Sequence, residues 1–158
     1  MDFIEQSEFL PRIEKIYSEL QAELIKILPN SRVEHIGSSS IPGTISKGDL
    51  DIFVGVDQCD FKSSVALISK IGFHQKADTL QTKSLCMMIT NSYSEDVAIQ
   101  VVANGSEFES FLDFRDKLRS NPELIVKYNQ LKFNCKGMAQ DMYREIKSSF
   151  IESVLNAP

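Results

Sequence analysis

The chain has 158 residues, 42% of them apolar and 25% charged, with a formal net charge of -5; that is the composition of one ordinary globular domain, long enough to bury a core without disulfides. The acidic balance lacks the lysine and arginine excess that neutralises nucleic-acid phosphates, which disfavours nucleic acid as a partner. Cys59, Cys86 and Cys135 form no CxxC pair and are odd in number, the opening MDFIEQSEFLPRIEK is acidic where a signal peptide is basic, and no apolar run approaches 18 residues, so the expected setting is a reducing cytoplasm with no export signal or membrane span.

From Phe9 to Leu28 apolar residues recur in steps of three and four, the spacing of an amphipathic helix. Ser7 is a candidate N-cap, Pro11 fits only near the first turn, and Pro29-Asn30 stop the helix. Val33 to Ile36 then reads as a strand, entered at about Arg32, with Glu34 alternating against Val33 and His35. A Gly/Ser-rich connection follows, Gly37-Ser38-Ser39-Ser40, then the turn dipeptide Pro42-Gly43 and Ser46-Lys47-Gly48. Leu50 to Val56 is a second strand, opened by the triplet Asp49-Leu50-Asp51.

That triplet is where the chemistry is expected. Successive strand side chains point to opposite faces, so Asp49 and Asp51 share one, with α-carbons roughly 6.5 to 7 Å apart. Two converging carboxylates repel unless a cation joins them. Mg2+, or Mn2+ in its place, takes oxygen ligands and keeps positions open for water and substrate phosphates. Gly37 allows a close backbone turn, and Ser38 to Ser40 offer hydroxyl and amide donors to an anion. Ser38 precedes Asp49 by eleven residues, a spacing that suits a loop returning beside the same site, with Lys47 next to the carboxylates.

Phe61 to Ile71 reads as a helix closed by Gly72. Short strands are expected at Phe73 to Lys76 and Ser84 to Thr90, joined by a hairpin connection, and another at Asp96 to Ala103, with Val97, Ile99 and Val101 on one face and Asp96, Ala98 and Gln100 on the other. Beyond Asn104-Gly105 the chain turns helical. Ser106 with Glu109 resembles a capping box opening a helix through Leu118; Asn121-Pro122 reads as N-cap and N1 of a helix to about Cys135; a last helix spans Met138 to about Leu155. Strands first and helices last give an α+β class: one domain over 1–158 with a helix at 7–28, a small mixed sheet over 31–104 and helices over 106–155. Arg115 and Arg119, four apart on one helix face, could fork onto a phosphate or pair with Asp116. His35 reads as a hydrogen-bonded core histidine, and Met87-Met88 and the C-terminal aromatics as packing.

The run Val33-Glu34-His35-Ile36-Gly37-Ser38-Ser39-Ser40-Ile41-Pro42-Gly43, with Lys47, Phe114 to Glu123, Tyr128, Lys132 and Tyr143 to Lys147, resembles the GrpB family over about Ser31 to Leu155. That family resembles the DNA polymerase beta-like nucleotidyltransferases, which implies a short mixed sheet flanked by helices. It also implies a Gly-Ser turn at Gly37 and Ser38, a metal-binding Asp-x-Asp pair at Asp49 and Asp51, and a third carboxylate at Asp96. Many family members carry an apolar residue where Asp49 stands, so this chain lies nearer the catalytic pattern. The implied activity is Mg2+-dependent transfer of a nucleotidyl group from an NTP to a hydroxyl acceptor, small or macromolecular. The alternative is a non-catalytic nucleotide-binding or protein-interaction module on the same fold, for which a homodimer is open.

Overall fold

The computed structural model describes residues 6–157. Helix α1 (Gln6–Ile27) leads into strand β1 (Arg32–Ile36), and a single 3-10 turn (Ser38–Ser40) and a loop carry the chain to β2 (Leu50–Val56). Helix α2 (Phe61–Ser69) precedes β3 (His74–Gln75), β4 (Leu85–Thr90) and β5 (Val97–Ala103), and α3 (Ser110–Arg119), α4 (Pro122–Asn134) and α5 (Gln140–Asn156) complete the described chain. The five strands form one mixed sheet in the order β1-β2-β5-β4-β3. β2 and β5 at its centre run parallel, and the other neighbours are antiparallel.

The register sorts the strand residues onto two faces. Ile36 lies opposite Asp51, Asp51 opposite Ala98, and Phe53 opposite Gln100, so these share one face. Leu50, Ile52, Val54, Val97, Ile99, Val101, Cys86 and Met88 take the other and are buried with Ile13, Ile16, Leu20 and Leu24 of α1 and Phe61 and Ile68 of α2. Period-2 strands meeting period-3.6 helices there make a dry core, in which each fully buried large aliphatic side chain is worth about 1.5–3 kcal/mol. The opposite face packs Ile36, Phe53 and Leu85 against Leu112 of α3. Beyond it Ile41 meets Leu118, Tyr128 and Val154.

Several local expectations change. Ser7 lies inside α1, Pro11 is carried within the helix, and residues before Gln6 lie outside the described ones. Ser106 caps nothing with its side chain; its hydroxyl is buried without a hydrogen-bond partner among the described residues. A 3-10 turn at Glu107–Glu109 delays α3 to Ser110, and the Glu109 carboxylate accepts instead from Gly105 N at 2.7 Å. Asn121 does cap α4, accepting from Glu123 N at 3.1 Å and Leu124 N at 3.4 Å. The three cysteines are free, Cys59 exposed and the others buried. No helix among the described residues is long and apolar enough to cross a membrane.

Candidate functional site

The site grows from the end of β1. Gly37 sits at φ 76°, a left-handed conformation open to glycine at little cost, and turns the chain so tightly that a Cβ there would collide with Asp51 Oδ2. Turn and carboxylate are thus in direct contact. The turn is closed by Ser40, whose N and Oγ donate to Gly37 O at 3.0 and 2.6 Å, and by Thr44 Oγ1, which donates to Ser38 O and Ile41 O.

Helix α4 clamps this loop. Asn129 accepts from Ile45 N at 2.9 Å and donates to Gly43 O at 2.8 Å. Lys132 Nζ donates to Ser38 Oγ and, at 2.6 Å, to Ile45 O, and lies 4.2 Å from the centre of the Tyr128 ring. Burying an ammonium disfavours its charge: burial first, then Lys147 and Lys47, bring Lys132 down to about 7, against the pull of Asp49 and Asp51. Lys147 of α5 moves the other way. Tyr128 holds its proton on, and with Tyr143, Asp51 and Asp49 outweighs burial.

Asp49 and Asp51 point to the same side, as the strand period requires. Ser46 Oγ donates to Asp49 Oδ1 at 3.2 Å. Burial and the neighbouring Asp49 charge lift the Asp51 carboxyl to about 7, with Lys147, Lys47 and Lys132 pulling it back. Two carboxylates therefore stand among three lysines, one exposed (Lys47) and one fully buried (Lys132). The pair fits a hard divalent cation: its oxygens are the right donor type, and a cation would relieve both the burial of the Asp51 charge and its repulsion from Asp49.

Asp96 does not join them. Its carbonyl accepts from Leu50 N at 2.8 Å, so its backbone passes beside Asp49, but the residue is exposed at the head of β5. Among the described residues no group of three or more His, Cys, Asp or Glu side chains is placed to hold a metal ion. On the Asp51 face β5 itself offers Ala98 and Gln100, neither of them acidic.

The two arginines brace the turn. Arg115 is buried and donates to Glu34 Oε1 at 2.8 Å, Asp116 Oδ1 at 2.9 Å and His35 O at 3.0 Å; Arg119 forks onto Ser40 O at 3.0 and 2.8 Å. Together they tie α3 to both ends of the Gly-Ser turn. His35 bonds Ser39 Oγ through Nε2 at 2.8 Å and stacks on Tyr17 at 5.1 Å. Burial, then Arg119 and Arg115, lower it to about 4, so it stays neutral near pH 7, as a core histidine should.

Sequence reasoning passed over Lys147 and gave Lys132 little weight. The signal was a lysine four residues after a tyrosine on an apolar helix stripe, Tyr128-Lys132 and again Tyr143-Lys147. A cation in such a stripe needs an anion nearby.

A five-stranded mixed sheet with helices packed on both faces is an α+β fold of the nucleotidyltransferase-like kind. Accordingly, the chain is similar in fold to Cid1, an RNA terminal uridylyl transferase, at TM-score 0.58 and 16% identity over 85% of this chain and 40% of that one, and to the same protein as a poly(U) polymerase with MgGTP bound, at TM-score 0.54 and 15% identity over 84% and 49%. At such identities the likeness is one of fold. A GrpB protein of Enterococcus faecalis matches throughout, at TM-score 0.69 and 20% identity over 98% of this chain and 99% of that one. The GrpB protein family model covers residues 4–157, and the chain belongs to the GrpB family. It is 52% identical to a UPF0157 protein of Vibrio cholerae over 98% of this chain and 82% of that protein, and 27% identical to one of Halalkalibacterium halodurans over 94% and 78%.

Proposed function

We propose that this chain binds a nucleoside triphosphate with Mg2+ or Mn2+ and transfers its nucleotidyl group to a hydroxyl acceptor: the acceptor oxygen forms a bond to the α-phosphorus as the bond to pyrophosphate breaks, and the hydroxyl proton is released to solvent. One observation carries the reading: the Gly37-Ser38 turn is packed onto the Asp51 carboxylate, with Asp49 on the same face and three lysines around the pair. Asp49 and Asp51 would hold the cation, which supplies charge neutralisation at the phosphates and at the departing pyrophosphate. Ser38 and the turn amides face the terminal phosphates, and Lys47 and Lys147 add positive charge. Two carboxylates and three ammonium groups sum to a formal +1, a cation of +2 raises this to +3, and a triphosphate of -4 leaves the loaded site near neutral. Arg115 and Arg119 act at one remove, holding the turn in place.

Thermal unfolding with each NTP, with and without Mg2+, tests it. A ligand at about 100 times its Kd stabilises by roughly 2.7 kcal/mol, or several degrees at about 2–4 °C per kcal/mol. The shift should require both the cation and Asp51, and vanish in Asp51→Asn. No shift with any nucleotide at millimolar concentration removes the reading. A second reading, nucleotide binding without transfer, is favoured by the exposed position of Asp96 and the non-acidic Ala98 and Gln100 on β5. Pyrophosphate release separates the two, and Asp96→Asn asks whether a third acid takes part: turnover that survives it makes Asp49 and Asp51 sufficient.

A further inference from the structure

Between the charged face of the sheet and helices α3 to α5 lies a cavity of about 210 Å3. Its walls are mostly apolar: Ile36 from β1, Phe111 and Phe114 from α3, Tyr128 from α4 and Ile151 from α5. Asp51 and Gln100 close it on the sheet side. A dry cavity of about 150 Å3 already admits one benzene-sized ring, so this one has room for a ring and a short substituent. Arg115 also reaches the wall, but its guanidinium is committed to Glu34, Asp116 and His35. Lys147 lines it as well, with its Nζ 6.0 Å from the centre of the Tyr143 ring.

Gln100 is different. Its Oε1 is buried and has no hydrogen-bond partner among the described residues. An unpaired buried carbonyl is costly, and no bond at that oxygen holds the carboxamide, whose terminal torsion is broad and two-fold. A donor arriving in the cavity would let it turn and recover a hydrogen bond.

We propose that the cavity is the acceptor pocket of the reading above, on which this assignment rests, and that it takes an uncharged, ring-sized alcohol. The ring lies among Phe111, Phe114 and Ile151, and the hydroxyl donates to the Gln100 carboxamide oxygen beside Asp51. A nucleobase fits these walls less well. It would bring several polar edge atoms against Ile36, Phe111, Phe114 and Ile151, and each left unpaired costs about 1–3 kcal/mol. A charged group set among those apolar side chains fits worse still, since burying an ion away from a partner is more expensive than burying a hydroxyl.

The test is ligand-observed NMR titration of the full chain with toluene, phenol and benzyl alcohol, and with uridine and adenosine as competitors. Phenol and benzyl alcohol should bind about three- to tenfold more tightly than toluene, the yield of one net hydrogen bond. Gln100→Leu should keep toluene and lose the preference, while unfolding at the same temperature or higher because it removes the unpaired group. Ile151→Trp on α5, and Ser110→Leu at another lining position on α3, should fill the cavity and abolish binding of all three. The proposal is overturned if no ring binds at about 10 mM, a Kd range worth under about 3 kcal/mol, if Gln100→Leu keeps the preference, or if uridine or adenosine displaces benzyl alcohol. Ring binding lost with the Mg2+-nucleotide shift intact sinks the pocket alone. Ring binding intact with no nucleotide shift leaves an alcohol site and sinks the transfer reading.

Discussion

The two faces of the sheet are built from the same strands and have opposite economies. Against α1 and α2, β2 and β5 present Leu50, Ile52, Val54, Ile99 and Val101, each 0% exposed, with no carboxylate, amine, guanidinium or imidazole in that cluster. One residue along, the same strands present Asp51 and Gln100 to a half-open chamber, where a carboxyl is pushed up by burial and an amide oxygen lacks a partner. The contrast separates stability from chemistry. The dry face makes the molecule fold strongly enough that the other can hold groups that cost energy until something binds.

Ile13→Ala gives the largest expected effect on the dry side. The side chain is fully buried between helix and sheet, and its truncation should cost about 2–5 kcal/mol in urea unfolding. The nucleotide-induced shift measured on the folded variant should keep its size. A shift that disappears while the fold persists would mean the faces are coupled.

Arg115→Ala sharpens the comparison on the charged side. It leaves Glu34 with Arg32 alone and frees α3 from the His35 carbonyl, and breaking such a pair costs about 3 kcal/mol or more when deeply buried, less here because Glu34 keeps Arg32 and is partly solvated. Unlike Ile13→Ala, it should also weaken Mg2+-nucleotide binding, because the Gly-Ser turn loses a brace. Equal nucleotide affinity in this variant would show that the turn holds itself.

The smallest effect is expected from His35→Gln, read as urea midpoints against pH. The folded imidazole takes its proton only at about 4, whereas the unfolded one does so near 6.5. Between those values the unfolded chain binds more protons, so the wild type loses stability as pH falls through that window. Asp51 acts oppositely, binding a proton in the fold between about 4 and 7, so its contribution falls as pH rises. Removing His35 should therefore leave the variant relatively more stable at pH 4.5 than at pH 7.5, by about 1–2 kcal/mol. An unchanged profile would mean that His35 is not buried as a neutral ring.

What could be read from the sequence follows from which residues repeat. β2 was legible to the residue because an apolar run of strand length follows an Asp-x-Asp, and Asn121-Pro122 placed the start of α4 for the same local reason. The start of α3 was not, because Glu109 satisfies Gly105 N and leaves Ser106 idle, a choice decided by the packing of neighbouring segments. The aspartate pair was visible in the triplet. Lys47 was read beside it, but Lys132 and Lys147 were not, because nothing local says that α4 and α5 fold back across the same face, nor that Arg119 and Arg115 donate to backbone carbonyls 79 and 80 residues away. Asp96 is exposed just ahead of β5, and no local pattern sets how far its side chain reaches.

The central parallel pair also sets a timetable. Leu50 meets Val97 across it, so β2 cannot close its main ladder until 47 more residues exist, and closing so long a loop is entropically slower than winding a helix. On a ribosome adding about 5–20 residues per second, Lys147 emerges roughly 5–20 s after Asp51. For that interval the turn, Lys47 and both acids are present as chain while Lys147 is not. The site is thus among the last parts of the molecule to come into being.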